Sequence, residues 1–517
     1  MYSMVTSGAM LGMQAYLVSV EVDIAPGLPG FSIVGSLSCE VRESRERVAV
    51  ALKNVGLRLP PTHVTVNLSP ADLRKEGTAF DLPIAVGMLR SMEYFSGKAL
   101  ENTLFLGELG LNGEIKKVRG VLPIIREAAK QGIRQCIVPE ANATEGAVVP
   151  EVTVRGAKHI SQLLAFLKNT ENPLECEKQL PAARVDAAAL FQQQREQYDE
   201  DFAEVKGQET ARRAAEIAAA GFHNLLMTGP PGTGKSMIAK RILSILPPLT
   251  MEESLEVTSV ASVAGTLQEG SALVTERPFV SPHHTASQPA MLGGSSSPRP
   301  GMISLAHRGV LFLDELPEFK RQTLDSLRQP LEERRIHISR VWGNVTFPSD
   351  FMLVCAMNPC PCGYYPDKNK CTCTRSQLHR YLGKISGPIL DRFDLCIQLQ
   401  QVELSGLWKK EKSESSACIR KRVEQARERQ KERFAGSSYR FNGDIRAADM
   451  EKYCSLGAKE QKLLEELYSS LQLSVRACHR ILRVARTIAD LEGTEAVEEH
   501  HLLEAVLYRP DKSYWSA

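Results

Sequence analysis

The 517-residue sequence has almost no net charge: 63 Lys and Arg stand against 61 Asp and Glu, leaving +2. That excludes a uniformly basic nucleic-acid coat, so contact with a polyanion must come from a local patch. Long hydrophobic runs are missing too. No stretch reaches 18 apolar residues, so neither a spanning helix nor a membrane partner is expected. The apolar opening around Ala9 to Val22 has no basic residue before it, the first being Arg42, and no cleavable end. It reads as strands of a folded domain rather than a signal peptide. An even disulfide framework is also absent. Four of the twelve cysteines fall within fourteen residues, which points to a reducing cytoplasm and one metal site. There is no repeat at solenoid spacing. At 43% hydrophobic and 24% charged, the composition argues against a disordered or fibrous chain. The length suits about three domains of roughly 150 residues.

The fold class expected is α/β multidomain. Residues 1–168 form an α+β block, with strands at Tyr16–Ile24, His63–Leu68, Ile115–Val121 and in CIVP, and helices at Val41–Leu52 and in IIREAAKQG. Residues 169–202 are polar and Gln-rich, a linker with some helix. Residues 203–402 alternate helix and strand, and 403–517 read as helices. The run Lys409–Arg433 carries ten basic and five acidic residues and reads as a solvated helix.

The strongest chemical signal is Gly229-Pro230-Pro231-Gly232-Thr233-Gly234-Lys235-Ser236. It follows the apolar run NLLMT and opens the helix-like MIAKRILSIL, the strand–loop–helix context a phosphate-binding loop requires. Its glycines let backbone N–H groups close on phosphates, Lys235 reaches the β- and γ-phosphates, and Ser236 ligates Mg²⁺. The second signal is Val310-Leu-Phe-Leu-Asp314-Glu315, a buried parallel strand ending in two carboxylates. Asp314 holds Mg²⁺ and Glu315 deprotonates the attacking water. A third strand, Phe351–Met357, ends in Asn358, an amide able to position that water. Gly387-Pro-Ile-Leu-Asp391-Arg392-Phe-Asp394 then offers Arg392 to a neighbour's γ-phosphate.

In this order, GPPGTGKS, VLFLDE, Asn358 and LDRFD resemble the AAA+ ATPases, and within them the magnesium-chelatase-like branch, over about residues 203–517. The resemblance implies ATP as ligand and Mg²⁺ as cofactor. It also implies an adenine-side segment at Gly207 and Gln208, a sensor role for Arg476 in SVRACHRILRVARTIADL, and a hexameric ring with ATP between subunits. Insertions at Val280–Ser287 and in the hairpin-like Ile336–Phe347 would face the pore. They and their neighbours carry His283, His284, Arg299, Arg334, Arg335, Arg340 and Trp342. Arginines there could meet phosphates and Trp342 could stack on a base, or Trp342 could pack the hairpin. Of these, His284, Arg340 and Trp342 are the candidate DNA contacts.

Cys360-Pro-Cys362, eight residues, then Cys371-Thr-Cys373 offers four thiolates to a closed, structural Zn²⁺ site. His379 is read as a bystander.

The front block resembles the Lon-type protease domain through KEGTAFDLPIA, the segment Gly107–Gly120 and GIRQCIVPEAN. That family uses a Ser–Lys dyad. Ala79 stands at the Ser position and Leu122 near the Lys position, so no peptidase activity is expected. The whole chain, including AMLGMQAYLVSVEVDIAPGLPGFSIVG and VRESRERV, resembles the ComM/YifB group of magnesium-chelatase-like AAA+ proteins. The resemblance implies an ATP-driven motor that promotes branch migration of recombining DNA in natural transformation, with single-stranded or branched DNA as its partner. A metal-inserting chelatase motor subunit, an ATP-dependent protease and an ATP-switched scaffold are the other readings.

Overall fold

A computed structural model describes the chain except residues 58–60, 195–199, 295–297, 341–342, 368, 402–413 and 511–517; the side chains of 192–194 and 340 are likewise left undescribed. Trp342 therefore lies outside the described residues, and Arg340 is known only by its backbone.

The front block is built on a seven-stranded sheet. Its strands run in the order Gly30–Val34, Thr62–Ser69, Gln14–Pro26, Tyr2–Leu11, Thr103–Phe105, Gln135–Pro139 and Thr153–Ala157. Alternation in Gln14–Pro26 puts Val18, Val20, Val22 and Ile24 on one face, where Leu82, Val86 and Leu89 of the helix Asp81–Ser91 cover them. Two sequence expectations shift. The helix expected over Val41–Leu52 is broken at Glu43 into Cys39–Arg42 and Ser44–Asn54. The strand expected over Ile115–Val121 shrinks to Ile115–Lys116, because Gly120 turns into the left-handed region (φ +72°) and starts a helix at Val121. In 169–202, Cys176 and Leu180 are buried with the front core.

The second sheet is parallel throughout, in the order Phe279–Val280, Val310–Leu313, Met352–Met357, Leu225–Thr228 and Leu395–Gln398. Its strands are short unbroken apolar runs because both faces are covered. The helices Glu209–Gly221, Lys235–Ile245, Ser416–Arg433 and Val475–Glu492 pack on one face. On the other lie the antiparallel hairpin Arg335–Arg340/Gly343–Pro348, the helix Arg375–Leu382 and the cysteine loop. The last block is helical. Its helix Val475–Glu492 is tied in by Asp490, which accepts from Arg433, Arg486 and Asn442. No described helix is long and apolar enough to cross a membrane. All twelve cysteines are free.

The front block docks on the ATPase-like block through its helix Val121–Lys130. The Gly120 N–H donates to Ser262 O (3.3 Å), Lys117 Nζ donates to Leu267 O (2.7 Å), and Ser262 Oγ donates to the buried Glu145. The Glu145 side chain also accepts from Leu122 N and Asn142 Nδ2, each at 3.0 Å, so both of its buried oxygens have hydrogen-bond partners.

Candidate functional site

All five strands of the second sheet run the same way, so the loops after them gather at one edge, where open α/β sheets bind ligands. Leu225–Thr228 feeds the loop 229–234 and then the helix Lys235–Ile245. Gly232 and Gly234 sit at φ +78° and +87°, where a side chain would be strained. The turn aims the first N–H groups of the helix outward, and the helix dipole adds positive potential.

Lys235 is 8% exposed; its Nζ donates to Gly229 O (2.7 Å), Pro230 O (2.9 Å) and Asn358 Oδ1 (3.2 Å). Burial lowers its pKa, and the Asp314 carboxylate opposes that shift. Thr233 Oγ1 donates to Pro230 O at 2.9 Å and braces the loop. Ser236 Oγ donates to Asp314 Oδ2 at 2.6 Å, which sets side by side two oxygens that could ligate a divalent cation. Gln208, beside Gly207 at φ +66°, donates to Thr233 O (3.4 Å) and Gln400 O (2.8 Å), bridging the loop to the end of the last strand. Lys235, Ser236, Asp314 and Asn358 are thus brought together. Glu315 follows in the left-handed region (φ +51°), its N–H donating to Asp314 Oδ1 at 2.9 Å. Its exposed carboxylate lies 3.5 Å from His284 Nδ1, not on the lysine.

Arg392 and Arg476 belong to the other edge of the sheet. Asn224, just ahead of Leu225–Thr228, donates through Nδ2 to Arg392 O at 2.9 Å, whereas the phosphate loop leaves the far end of that strand. The strand alone separates them by roughly 13 Å at about 3.3 Å per residue. Arg392 pairs with Glu332. Burial lowers its pKa, and so do the nearby guanidinium groups of Arg476, Arg480, Arg328 and Arg483. Arg480 holds this edge together, donating to Phe393 O (2.9 Å) and Asp391 Oδ1 (3.2 Å).

The four sulfurs of Cys360, Cys362, Cys371 and Cys373 lie within 4.8 Å of one another. Sγ separations of 3.2 Å (Cys360–Cys362), 3.5 Å (Cys362–Cys371) and 3.8 Å (Cys360–Cys371) approach the roughly 3.8 Å edge of a tetrahedron with 2.3 Å zinc–sulfur bonds. The donor set fits Zn²⁺. His379 is exposed on the following helix and outside the cluster. Within this loop Gly363, at φ +88°, faces the phosphate loop: a Cβ there would lie 2.6 Å from Pro231 Cδ.

In the front block, Ala79 packs against the apolar layer, its carbonyl accepting from Gly107 N at 3.0 Å. Leu122 is fully buried at the joint with Glu145. Neither position carries a nucleophile or a base. The insertions divide. Arg334 is bound to Asp444 (2.5 Å) and Asp350 (3.5 Å), which raise its pKa against the effect of burial, so it is structural. Arg335 and Arg299 are exposed.

Sequence reasoning missed the pairing of Arg392 with Glu332, the contact of Gly363 with Pro231 and the seat of His284 on Glu315. No local pattern signals such long-range contacts.

Comparison with known proteins gives concordant results. Residues 201–407 match the family described as magnesium chelatase, subunit ChlI; residues 20–142 match subunit ChlI of Mg-chelatase; residues 413–509 match the C-terminal part of magnesium chelatase subunit ChlI. The protein YifB of Salmonella typhimurium is 43% identical over 98% of this chain and 97% of its own length. The competence protein ComM of Haemophilus influenzae is 43% identical with the same coverage. The DNA repair protein RadA of Listeria monocytogenes is 27% identical over 30% of this chain and 34% of its own length.

Proposed function

The chain belongs to the magnesium-chelatase-like ComM/YifB family of AAA+ ATPases, and from that premise we propose that it is a ring-forming, ATP-driven motor that binds single-stranded or branched DNA and promotes branch migration of recombining DNA. The observation that carries the motor is the convergence of Lys235, Ser236, Asp314 and Asn358 at the carboxyl edge of a parallel sheet. Arriving phosphates take over the Lys235 ammonium from the carbonyls of Gly229 and Pro230. Ser236 and Asp314 would hold Mg²⁺, which supplies charge neutralisation of the β- and γ-phosphates. Glu315 takes the proton of the attacking water and Asn358 orients it. Arg392 and Arg476, on the opposite edge, serve the nucleotide of the next subunit in a homo-oligomeric, hexameric ring.

The DNA assignment draws on the family resemblance and on the names of two relatives, a competence protein and a DNA repair protein. Exposed Arg335 and Arg299, together with Arg340 and Trp342, are the contacts proposed for the pore. The front block is proposed as a Lon-like platform without the Ser–Lys dyad, given Ala79 and Leu122. The four thiolates are proposed to hold a structural Zn²⁺, and the free cysteines suit a cytoplasmic protein. The family descriptions favour a second reading, a motor for metal insertion into a macrocycle.

A junction-unwinding assay on three- and four-strand substrates with ATP tests the proposal. Unwinding by the wild-type chain that Glu315→Gln abolishes supports it; ATP hydrolysis that no DNA stimulates, with no unwinding, refutes the DNA part.

A further inference from the structure

We infer that the cleft between the front block and the ATPase-like block is a second binding site, one that grips the phosphate backbone of a single DNA strand. The inference rests on the reading of DNA as the partner and gives it a place outside the insertion tips. The cleft holds about 1080 Å³. One wall is the front block, with Tyr16, Arg126 and Lys130; the other is the ATPase-like and helical blocks, with Arg335, Arg440 and Arg446.

Two contacts bracket the cleft. Pro123 and Ser259 on its lining adjoin the joint where Gly120 meets Ser262. Met13 and Thr346 adjoin the place where the turn at Gly12 meets the insertion hairpin; a Cβ on Gly12 would stand 2.9 Å from Val345 Cβ. The cleft is therefore a product of how the blocks dock. Its floor is held by Arg308 and Arg334, both in the left-handed region (φ +62° and +57°) and both turned to Asp350. A non-glycine residue adopts that conformation at a cost, and such strain concentrates where a surface has a ligand to hold.

The charge of the lining is left unbalanced. Each acid on it already has a partner: Glu127 faces Lys130 (3.8 Å), Glu256 faces Arg308 (2.7 Å), Asp350 faces Arg334 (3.5 Å) and Glu333 faces the His337 imidazole (3.5 Å). Arg126, Arg335 and Arg446 have no ion pair among the described residues, and the last two are exposed. Three unneutralised guanidinium groups along one groove attract phosphates and displace their counterions. Size and chemistry select a strand over a small molecule. The volume stands at the top of the range of about 300–1,000 Å³ for small-ligand sites, and the walls are charged rather than apolar. Such side chains grip phosphates without reading bases. Arg335, at the base of the hairpin, gives a strand held there a continuous path into the cleft.

The test titrates a fluorescent oligothymidylate with the full-length chain and a non-hydrolysable ATP analogue, over about 0.05–0.2 M salt. Each phosphate contact to a single strand adds about 0.7 to the slope of log affinity against log salt. Arg126→Ala/Arg446→Ala should therefore flatten the slope by about 1.4 and weaken binding roughly 25-fold at about 0.1 M salt. Arg126→Lys/Arg446→Lys keeps both charges and stays within a few-fold of wild type. Lys130, exposed on the same wall, reports occupancy: the oligothymidylate should protect it from acetylation, read by mass spectrometry. A wild-type slope in the alanine variant overturns the cleft and leaves DNA as the partner. So does an equal loss in the lysine variant, which would assign the effect to packing. Protection of Lys130 by thymidine monophosphate at the same phosphate concentration also overturns it, making the cleft a small-anion site. If the wild-type chain binds no oligothymidylate, the reading of DNA as partner fails and the cleft with it.

Discussion

Arg392 lies on the edge of the sheet opposite the phosphate loop, held by Glu332 and with its carbonyl fixed by Asn224. Its guanidinium has no route to the cradle of its own subunit, yet it sits with Arg476, Arg480, Arg328 and Arg483, whose charges lower its pKa and are partly balanced by Glu332, Asp391, Asp394 and Asp325. Replacing Arg392 by Ala should leave ATP binding within a few-fold of wild type and cut kcat by roughly 10³-fold, the lower bound for a borrowed arginine. Lys235→Ala should be equally dead for a different reason, the loss of the phosphate contact. Mixing the two variants discriminates. In a 1:1 mixture that assembles at random, about one seam in four joins an intact cradle from one subunit to an intact Arg392 from the next. Hydrolysis should therefore recover to about a quarter of wild type from two inactive preparations. The assay is phosphate release, with co-assembly checked by pull-down of differently tagged subunits. No recovery in demonstrably mixed rings would refute action between subunits.

Three other outcomes follow from the geometry. The purified chain should carry about one Zn²⁺, released by a mercurial reagent and absent from Cys360→Ala/Cys371→Ala, as metal analysis reports. Gly363→Ala should weaken nucleotide binding, because its Cβ meets Pro231 at 2.6 Å and its φ of +88° strains any side chain; fluorescent-nucleotide titration reads this directly. Burial would raise the Asp394 carboxyl, but Arg483, His223 and the Asn224 N–H outweigh it and hold the pKa at about 2. A depressed carboxylate contributes stability above its unfolded value and loses it as pH falls through the folded one. Acid unfolding followed by circular dichroism should therefore show about 2 kcal/mol lost between about pH 4 and pH 2, and Asp394→Asn should flatten that limb.

What the sequence made legible was contiguous. Gly229–Ser236, Asp314–Glu315 and the four cysteines each lie in one short segment whose spacing is set by local geometry, and the parallel strands beside them are unbroken apolar runs. Boundaries were harder. Val41–Leu52 has helical spacing throughout, but the chain resets at Glu43, and the strand expected to reach Val121 yields to Gly120. The functional neighbours at long range were not legible. Arg476 and Arg392 are 84 positions apart and meet only because the helix Val475–Glu492 packs across the sheet's amino edge. His284 read as a candidate DNA contact in an insertion, because nothing local says that the strand before it pairs with Val310–Leu313 and brings it beside Glu315. Arg334 read as one of the arginines near the insertions able to meet phosphates because its partners Asp350 and Asp444 come from distant segments.

Release of inorganic phosphate from MgATP, compared among the wild-type chain, Lys235→Ala and Glu315→Gln, tests the central claim most directly. The account predicts turnover by the wild type, none by Lys235→Ala together with lost ATP binding, and a fall of roughly 10²-fold or more in Glu315→Gln with ATP still bound. Turnover in Glu315→Gln equal to the wild type, or none in the wild type with or without DNA, would contradict it.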